Sequence, residues 1–248
     1  DERVEPSLKF TITDSEIIVV NNEQGFTEQD MDSICSSAHS TKKKSAGSYI
    51  GRKGIGFKAV FRITDTPQIC SNGYHIKFNV NSGPLGMIVP FWIDDTSEDH
   101  VSETEITLPL KPSIIAKSGP LRKSLEDVTP SLLLFLRKLK RLELVDDVLS
   151  TDRLIQKRHL ETISDTVEVV EILSRDMSLE GDKTSSQKWL ISRLVIKLTP
   201  DMPSRPDDDT VTSTAVSVAL PLDSFEDQHV FAFLPLRSYG FKFIVQAD

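Results

Sequence analysis

No apolar run in this chain of 248 residues approaches the ~18 residues that a membrane-spanning helix needs, so a membrane partner is not expected. Cysteine is scarce. Cys35 and Cys70 are the only two, with no C-x-x-C spacing and no secretory signal, which excludes a disulfide-stapled scaffold. Reduced, buried thiols in an intracellular protein, cytoplasmic or nuclear, are the expectation. Positive charge is short as well: 29 Lys and Arg against 37 Asp and Glu leave a net charge of −8. A nucleic-acid partner is disfavoured, because phosphate backbones call for a broad basic excess. What is present is 38% hydrophobic and 27% charged residues, a globular composition long enough for one large domain or two small ones. The chain opens on Asp1 rather than Met and closes on an apolar run, so it is expected to be a piece of a longer protein.

Period-two alternation over residues 8–13, followed by Asp14-Ser15 and the β-branched run 16–20, predicts a hairpin. After the turn-rich 21–25, Thr27 with acids behind it predicts the N-cap of a short helix over 28–35. Residues 36–49 hold almost no core-forming side chains and predict a long loop, a kind of segment that is commonly functional. A second helix is expected over 57–62, then strands over 67–70, 74–79, 86–91 and 103–110. Apolar residues from Leu125 through Leu132, Phe135, Leu136 and Leu139 recur at helical spacing and predict a helix lying on the sheet. Beyond residue 141 β signals dominate, at 141–145, 166–173, 189–198, 211–222, 229–236 and 240–246. Residues 200–209, with three successive aspartates, predict a solvated loop. A boundary near residue 150 is expected, giving units 1–150 and 151–248, the second mostly antiparallel and β-rich.

Three of the chain's 11 glycines fall within six residues, at Gly51, Gly54 and Gly56, directly before the predicted helix at Phe57. Their G-x-x-G-x-G order matches neither the P-loop nor the dinucleotide fingerprint. Glycines ahead of a helix let backbone N–H groups approach an anion without a Cβ in the way. Lys42, Lys43, Lys44, Arg52, Lys53 and Lys58 lie in or beside this stretch with no acid among them. A polyanion such as a nucleotide phosphate tail suits both features, whereas a bare glycine turn with a solvated basic face suits each alone. His39, His75 and His229 have no acid or Cys partners at ligand spacing, so no metal cluster is expected.

The order of these signals carries more than any one of them. A strand leads to Asn-Asn-Glu-Gln-Gly-Phe (21–26), a helix, Ser40-Thr41-Lys42 in a loop, Gly51-Arg52-Lys53-Gly54-Ile55-Gly56-Phe57, and later a strand with Thr104-Glu105-Ile106. This order resembles the GHKL ATPase superfamily, and residues 49–61 and 230–240 look most like its sacsin/NO VEIN branch. The resemblance implies a Bergerat-type α/β (α+β) two-layer sandwich with a mixed sheet, followed by a β-rich unit similar to a chaperone middle domain. It also implies ATP with Mg²⁺ as cofactors, a lid over residues 36–50, and a conformational switch or chaperone-like ATPase acting on a protein client.

By that resemblance Asn21 stands where the family carries the adenine-binding Asp, with Asn22 beside it, and Gly25 is the retained glycine of D-x-G-x-G. Asn21 can accept from an exocyclic amine through its carbonyl oxygen. Thr41 and Lys42 would lie near the phosphates, and the backbone around Gly51, Gly54, Ile55, Gly56 and Phe57 would form the cradle. Thr104 matches the late strand threonine near the base. The family's general-base Glu and Mg²⁺-binding Asn belong to a helix ahead of the first strand, for which residues 1–7 leave no room. No catalytic residue or Mg²⁺ ligand is therefore assigned in this chain. The competing expectation is an interaction scaffold that keeps the fold without nucleotide chemistry; Asn21, Glu23 and the absent base helix favour it.

Overall fold

A computed structural model of the chain describes residues 4–36, 56–94, 103–179, 181–197, 213–224, 226–232 and 234–247. The local rules of the first third operate as expected. Thr13 Oγ1 accepts the N–H groups of Ser15 and Glu16 and turns β1 (Ser7–Ile12) into β2 (Glu16–Asn21). Thr27 Oγ1 accepts the N–H of Asp30 at 3.2 Å, and the Asp30 carboxylate accepts the N–H of Thr27 at 3.0 Å. This reciprocal capping box starts α1 (Glu28–Ile34). Phe57–Arg62 coils as a 3-10 rather than an α-helix, and its Phe57, Val60 and Phe61 face the core as the spacing requires.

The remaining strands are β3 (Gln68–Ser71), β4 (Tyr74–Lys77), β5 (Phe91–Trp92), β6 (Thr104–Pro109), β7 (Arg141–Asp146), β8 (Thr151–Ser164), β9 (Val167–Met177), β10 (Lys183–Lys197), β11 (Ser213–Pro221), β12 (His229–Ala232), β13 (Leu234–Ser238) and β14 (Ile244–Ala247). They join in one open sheet of order β13-β12-β14-β11-β10-β9-β8-β7-β1-β2-β6-β3-β4-β5. Pairing is antiparallel except at β1/β7 and β12/β14, so the sheet is mixed. With α2 (Pro112–Ile115), α3 (Gly119–Glu126) and a few 3-10 turns, this is a sheet-rich α+β fold with few helices. The boundary expected near residue 150 lies in the turn between β7 and β8, which pair from Arg141↔Gln156 to Asp146↔Thr151.

Strand alternation puts Ile12, Ile17, Leu108, Ile69, Leu142, Leu144 and Ile155 on one face of the sheet, and the helical segments pack there. At one end Met31 of α1 and Phe61 join Ile69, Ile76 and Phe78. In the middle Leu121 and Leu125 of α3 lie on Ile12, Ile17 and Leu108. At the other end Leu133, Leu134 and Phe135 cover Leu142, Ile155, Val170 and Trp189. Arg122 of α3 forms a largely buried ion pair with Asp146 of β7, whose carboxylate also accepts the N–H groups of Val148 and Leu149, both at 3.0 Å.

Three expectations are corrected. The helix expected over 125–139 is broken. Pro130 has no N–H to donate and holds Thr129 extended (φ −84°, ψ 141°), so α3 ends at Glu126 and a 3-10 turn restarts at Pro130–Leu134. Its apolar residues still reach the core. The strand expected over 86–91 shrinks to Phe91–Trp92, because residues 83–89 close into turns in which Ile88 and Val89 both donate to Leu85 O at 2.8 Å. The long β8 lies where no strand was expected: polar residues interrupt its pattern, and one core position is Lys157. That side chain is 4% exposed and donates to Leu136 O at 2.7 Å. Burial, with repulsion from Lys140 and Arg193 behind it, pulls its pKa down to about 8. The loop expected over 200–209 lies outside the described residues.

Candidate functional site

Three neighbouring strands end in polar side chains on the helix-covered face. β2 ends at Asn21, which pairs with Thr104, the first residue of β6. β3 pairs with β6 through Cys70↔Glu105, which brings its last residue, Ser71, beside Thr104. Ile17, Val19 and Asn21 share a face with Leu108, Ile106 and Thr104, and with Ile69 and Ser71, by the same alternation. A row Asn21–Thr104–Ser71 results, with Leu8 opposite Asn21 on β1.

The row is tightly wired. Thr104 and Ser71 are each 1% exposed, and their hydroxyl oxygens lie 2.6 Å apart. Ser71 Oγ also accepts the N–H of Phe26 at 2.9 Å, while Asn72 Nδ2 donates to Phe26 O at 3.0 Å. The 23–26 turn is thereby strapped over the end of β3. Gly25 lets it approach: its φ is +85°, and a Cβ there would stand 2.7 Å from the Asn72 Cβ. Asn21 Oδ1 accepts the N–H of Glu23 at 3.2 Å, an Asx turn that opens the strap. Asn22 is spent on the backbone: its Nδ2 donates to Glu5 O at 2.8 Å and its Oδ1 accepts the N–H of Ser7 at 2.9 Å. That pair ties the chain entering β1 to the end of β2.

On the far side of the strap, Lys58 crosses from the 3-10 segment to α1. Its ammonium donates to Ile34 O at 2.6 Å and to Met87 O, and it lies 5.3–5.9 Å from the ring centroids of Phe57, Phe61 and Phe78. Burial lowers the Lys58 pKa. Burial likewise raises that of the Cys35 thiol, against a smaller opposing pull from Lys58. Both cysteines are free and half-buried.

Of the residues expected at the site, Asn21, Gly25 and Thr104 are brought together around Ser71, and Asn22 serves the neighbouring backbone. Gly56 precedes the 3-10 turn with open space around its Cα. The Phe57 ring packs against Phe61 and Phe78, leaving only its backbone for a ligand. Thr41, Lys42, Gly51, Gly54 and Ile55 lie outside the described residues. Among the described residues no cluster of three or more His, Cys, Asp and Glu side chains suits a metal ion. None of their helices is long and apolar enough to cross a membrane. Sequence reasoning missed Ser71, which reads as the first residue of a Ser-Asn-Gly turn; only the β3/β6 register brings it to Thr104.

Comparison with known proteins bears on the same stretch. Residues 7–84, which span β1 to β4 and hold Asn21, Gly25 and Ser71, match the family model described as the Sacsin domain. Over 273 aligned positions the chain is 34% identical to Protein NO VEIN of Arabidopsis thaliana, an alignment that covers all of this chain and 9% of that protein. The two matches support a sacsin/NO VEIN-type family for this chain. The chain thus spans about a tenth of the length of the curated relative it matches.

Proposed function

We propose that this chain is a nucleotide-binding module of the GHKL type, taking ATP with Mg²⁺ and using it to shift a population between conformations that a protein partner reads. The observation that carries the reading is the row Asn21–Thr104–Ser71, three polar side chains side by side at the strand ends on the helix-covered face of the sheet. The carboxamide of Asn21 would be the hydrogen-bonding partner of a purine edge, with Thr104 and Ser71 buried beside it. In this reading the fold is a Bergerat-type sandwich. The phosphates extend toward Gly51, Gly54, Ile55, Gly56 and the Phe57 backbone, with Thr41 and Lys42 above them. ATP·Mg²⁺ would contribute binding energy that differs between the two conformations, which is what moves their equilibrium. Hydrolysis is not part of the proposal for this chain.

The test is displacement of a fluorescent ATP analogue by ATP·Mg²⁺ from the wild-type chain and from Gly56→Val. A Cβ at Gly56 meets nothing within 4 Å, so the variant is expected to fold. Its affinity is expected to fall at least about tenfold, since the added side chain occupies the path of the phosphates. Equal affinity in the two proteins would remove the cradle from the account.

A second reading, an interaction scaffold without nucleotide, is favoured by one observation. Asn21 Oδ1 is already engaged by Glu23, which itself stands where the resemblance calls for the first glycine. Displaceable binding of the analogue decides between the two.

A further inference from the structure

At the end of β7 far from Arg141, and so at the other end of the strands from Asn21, the sheet and α3 enclose a cavity of about 160 Å³. Leu125, Leu144, Leu149 and Met177 form its apolar wall, and its charged wall sets the carboxylates of Glu126, Asp146, Asp152 and Asp176 against Arg122 and Arg153. Both guanidinium groups are already committed. Arg122 pairs with Asp146 and donates to Thr13 O at 3.3 Å. Arg153 pairs with Asp176 and donates to Glu126 O at 3.0 Å and Val128 O at 3.1 Å, which also ties down the C-terminal end of α3. Asp146 is 7% exposed, and its three bonds, from Arg122 and from the N–H groups of Val148 and Leu149, all fall on Oδ1. Its Oδ2 accepts nothing from the described residues. The cavity thus combines an apolar wall, four carboxylates against two guanidinium groups, and a buried carboxylate oxygen that lacks a donor.

We propose that this cavity binds a primary ammonium group on a short aliphatic stem, a free amine or the side chain of a lysine, with the ammonium on Asp146 Oδ2 and the stem against Leu125, Leu144 and Leu149. A buried carboxylate oxygen without a donor carries a desolvation cost, which a charge-assisted N–H bond offsets. The open oxygen also selects among cations. A guanidinium grips a carboxylate through both oxygens, and Oδ1 is filled, whereas an ammonium is a point charge that one oxygen can hold. Volume limits the stem: a dry cavity of ~150 Å³ takes a benzene-sized guest, so a chain of about four carbons fits and a drug-sized ligand does not. An anion would face the surplus of carboxylates, and a neutral alcohol would gain the apolar wall without the charge. The site shares no residue with the nucleotide reading and stands or falls without it.

An amide NMR titration of the 248-residue chain at neutral pH with n-butylamine, butan-1-ol, butyrate and Nα-acetyl-lysine amide tests this, read at Val148 and Leu149, whose N–H groups sit on the same carboxylate. n-Butylamine is expected to shift these two amides saturably at millimolar concentration, with butan-1-ol and butyrate at least about tenfold weaker. The same shifts with Nα-acetyl-lysine amide assign the site to a lysine side chain; their absence with that probe alone assigns it to a free amine. Asp146→Asn keeps an oxygen for the two N–H groups and turns Oδ2 into a donor, and is expected to weaken n-butylamine at least about tenfold. The comparison of probes needs only the wild-type chain, so it decides the matter even where the variant does not fold. Equal affinity for butan-1-ol and n-butylamine, or n-butylamine shifts scattered over the acidic surface without saturation at Val148 and Leu149, overturns the proposal.

Discussion

Gly25 and Gly56 make opposite demands on a methyl group. At Gly25 the positive φ and the 2.7 Å approach to Asn72 act together. Gly25→Ala is expected to cost about 1–3 kcal/mol in urea unfolding, because the strap must lift from β3. Gly56 has helical angles (φ −56°, ψ −51°) and open space. There Gly→Ala is expected to be neutral or to stabilise by about 0.4–1 kcal/mol through the unfolded chain. Lys157 supplies a pH signature. Its folded pKa of about 8 lies below the ordinary 10.5, so from pH 8 to 10.5 the unfolded chain binds more protons than the folded one. Stability contributed by this group therefore rises with pH across that window. The cost of a buried ammonium is full below pH 8 and is relieved above it, about 3 kcal/mol in all. Lys157→Met is expected to lose this rise when unfolding free energies of the two proteins are subtracted at each pH; parallel curves would contradict it.

Elements are held to the sheet by a few polar ties, and these are where element-scale changes should register. Arg122→Ala removes the partner of the buried Asp146 and is expected to cost about 3–5 kcal/mol, with faster amide exchange in α3. Lys58→Met severs the ties to Ile34 O and Met87 O, and exchange is expected to quicken at the end of α1 and over residues 85–89 together. The elements legible in the sequence are those with local causes: the Thr13 turn, the Thr27 capping box, the glycine-to-helix step at Phe57. Those that were illegible depend on distant partners. β8 exists because β7 and β9 pair with it on both sides, and its buried Lys157 hides the alternation a strand would otherwise show. Helical spacing over 125–139 marked the core-facing residues correctly, but Pro130 decided the backbone. At the site, Asn21, Gly25 and Thr104 could be named from motif order, whereas Ser71 is defined by the register between β3 and β6 and no local pattern encodes it.

At the scale of the whole chain, one open sheet carries the polar row near one end and the largest apolar cluster, around Ile155 and Trp189, toward the other. A ligand seated at the row would bridge β2, β6 and β3 to the 3-10 segment; the 23–26 strap ties the ends of β2 and β3, and Lys58 ties the 3-10 segment to α1. Binding should therefore stabilise that end of the sheet. The most direct measurement is a thermal-shift titration of the 248-residue chain with ATP·Mg²⁺. A ligand that binds only the native state adds RT ln(1 + [L]/Kd), about 2.7 kcal/mol at a hundredfold excess over Kd. The account predicts a saturable rise in Tm that Gly56→Val reduces; no rise at millimolar ATP·Mg²⁺ would contradict it.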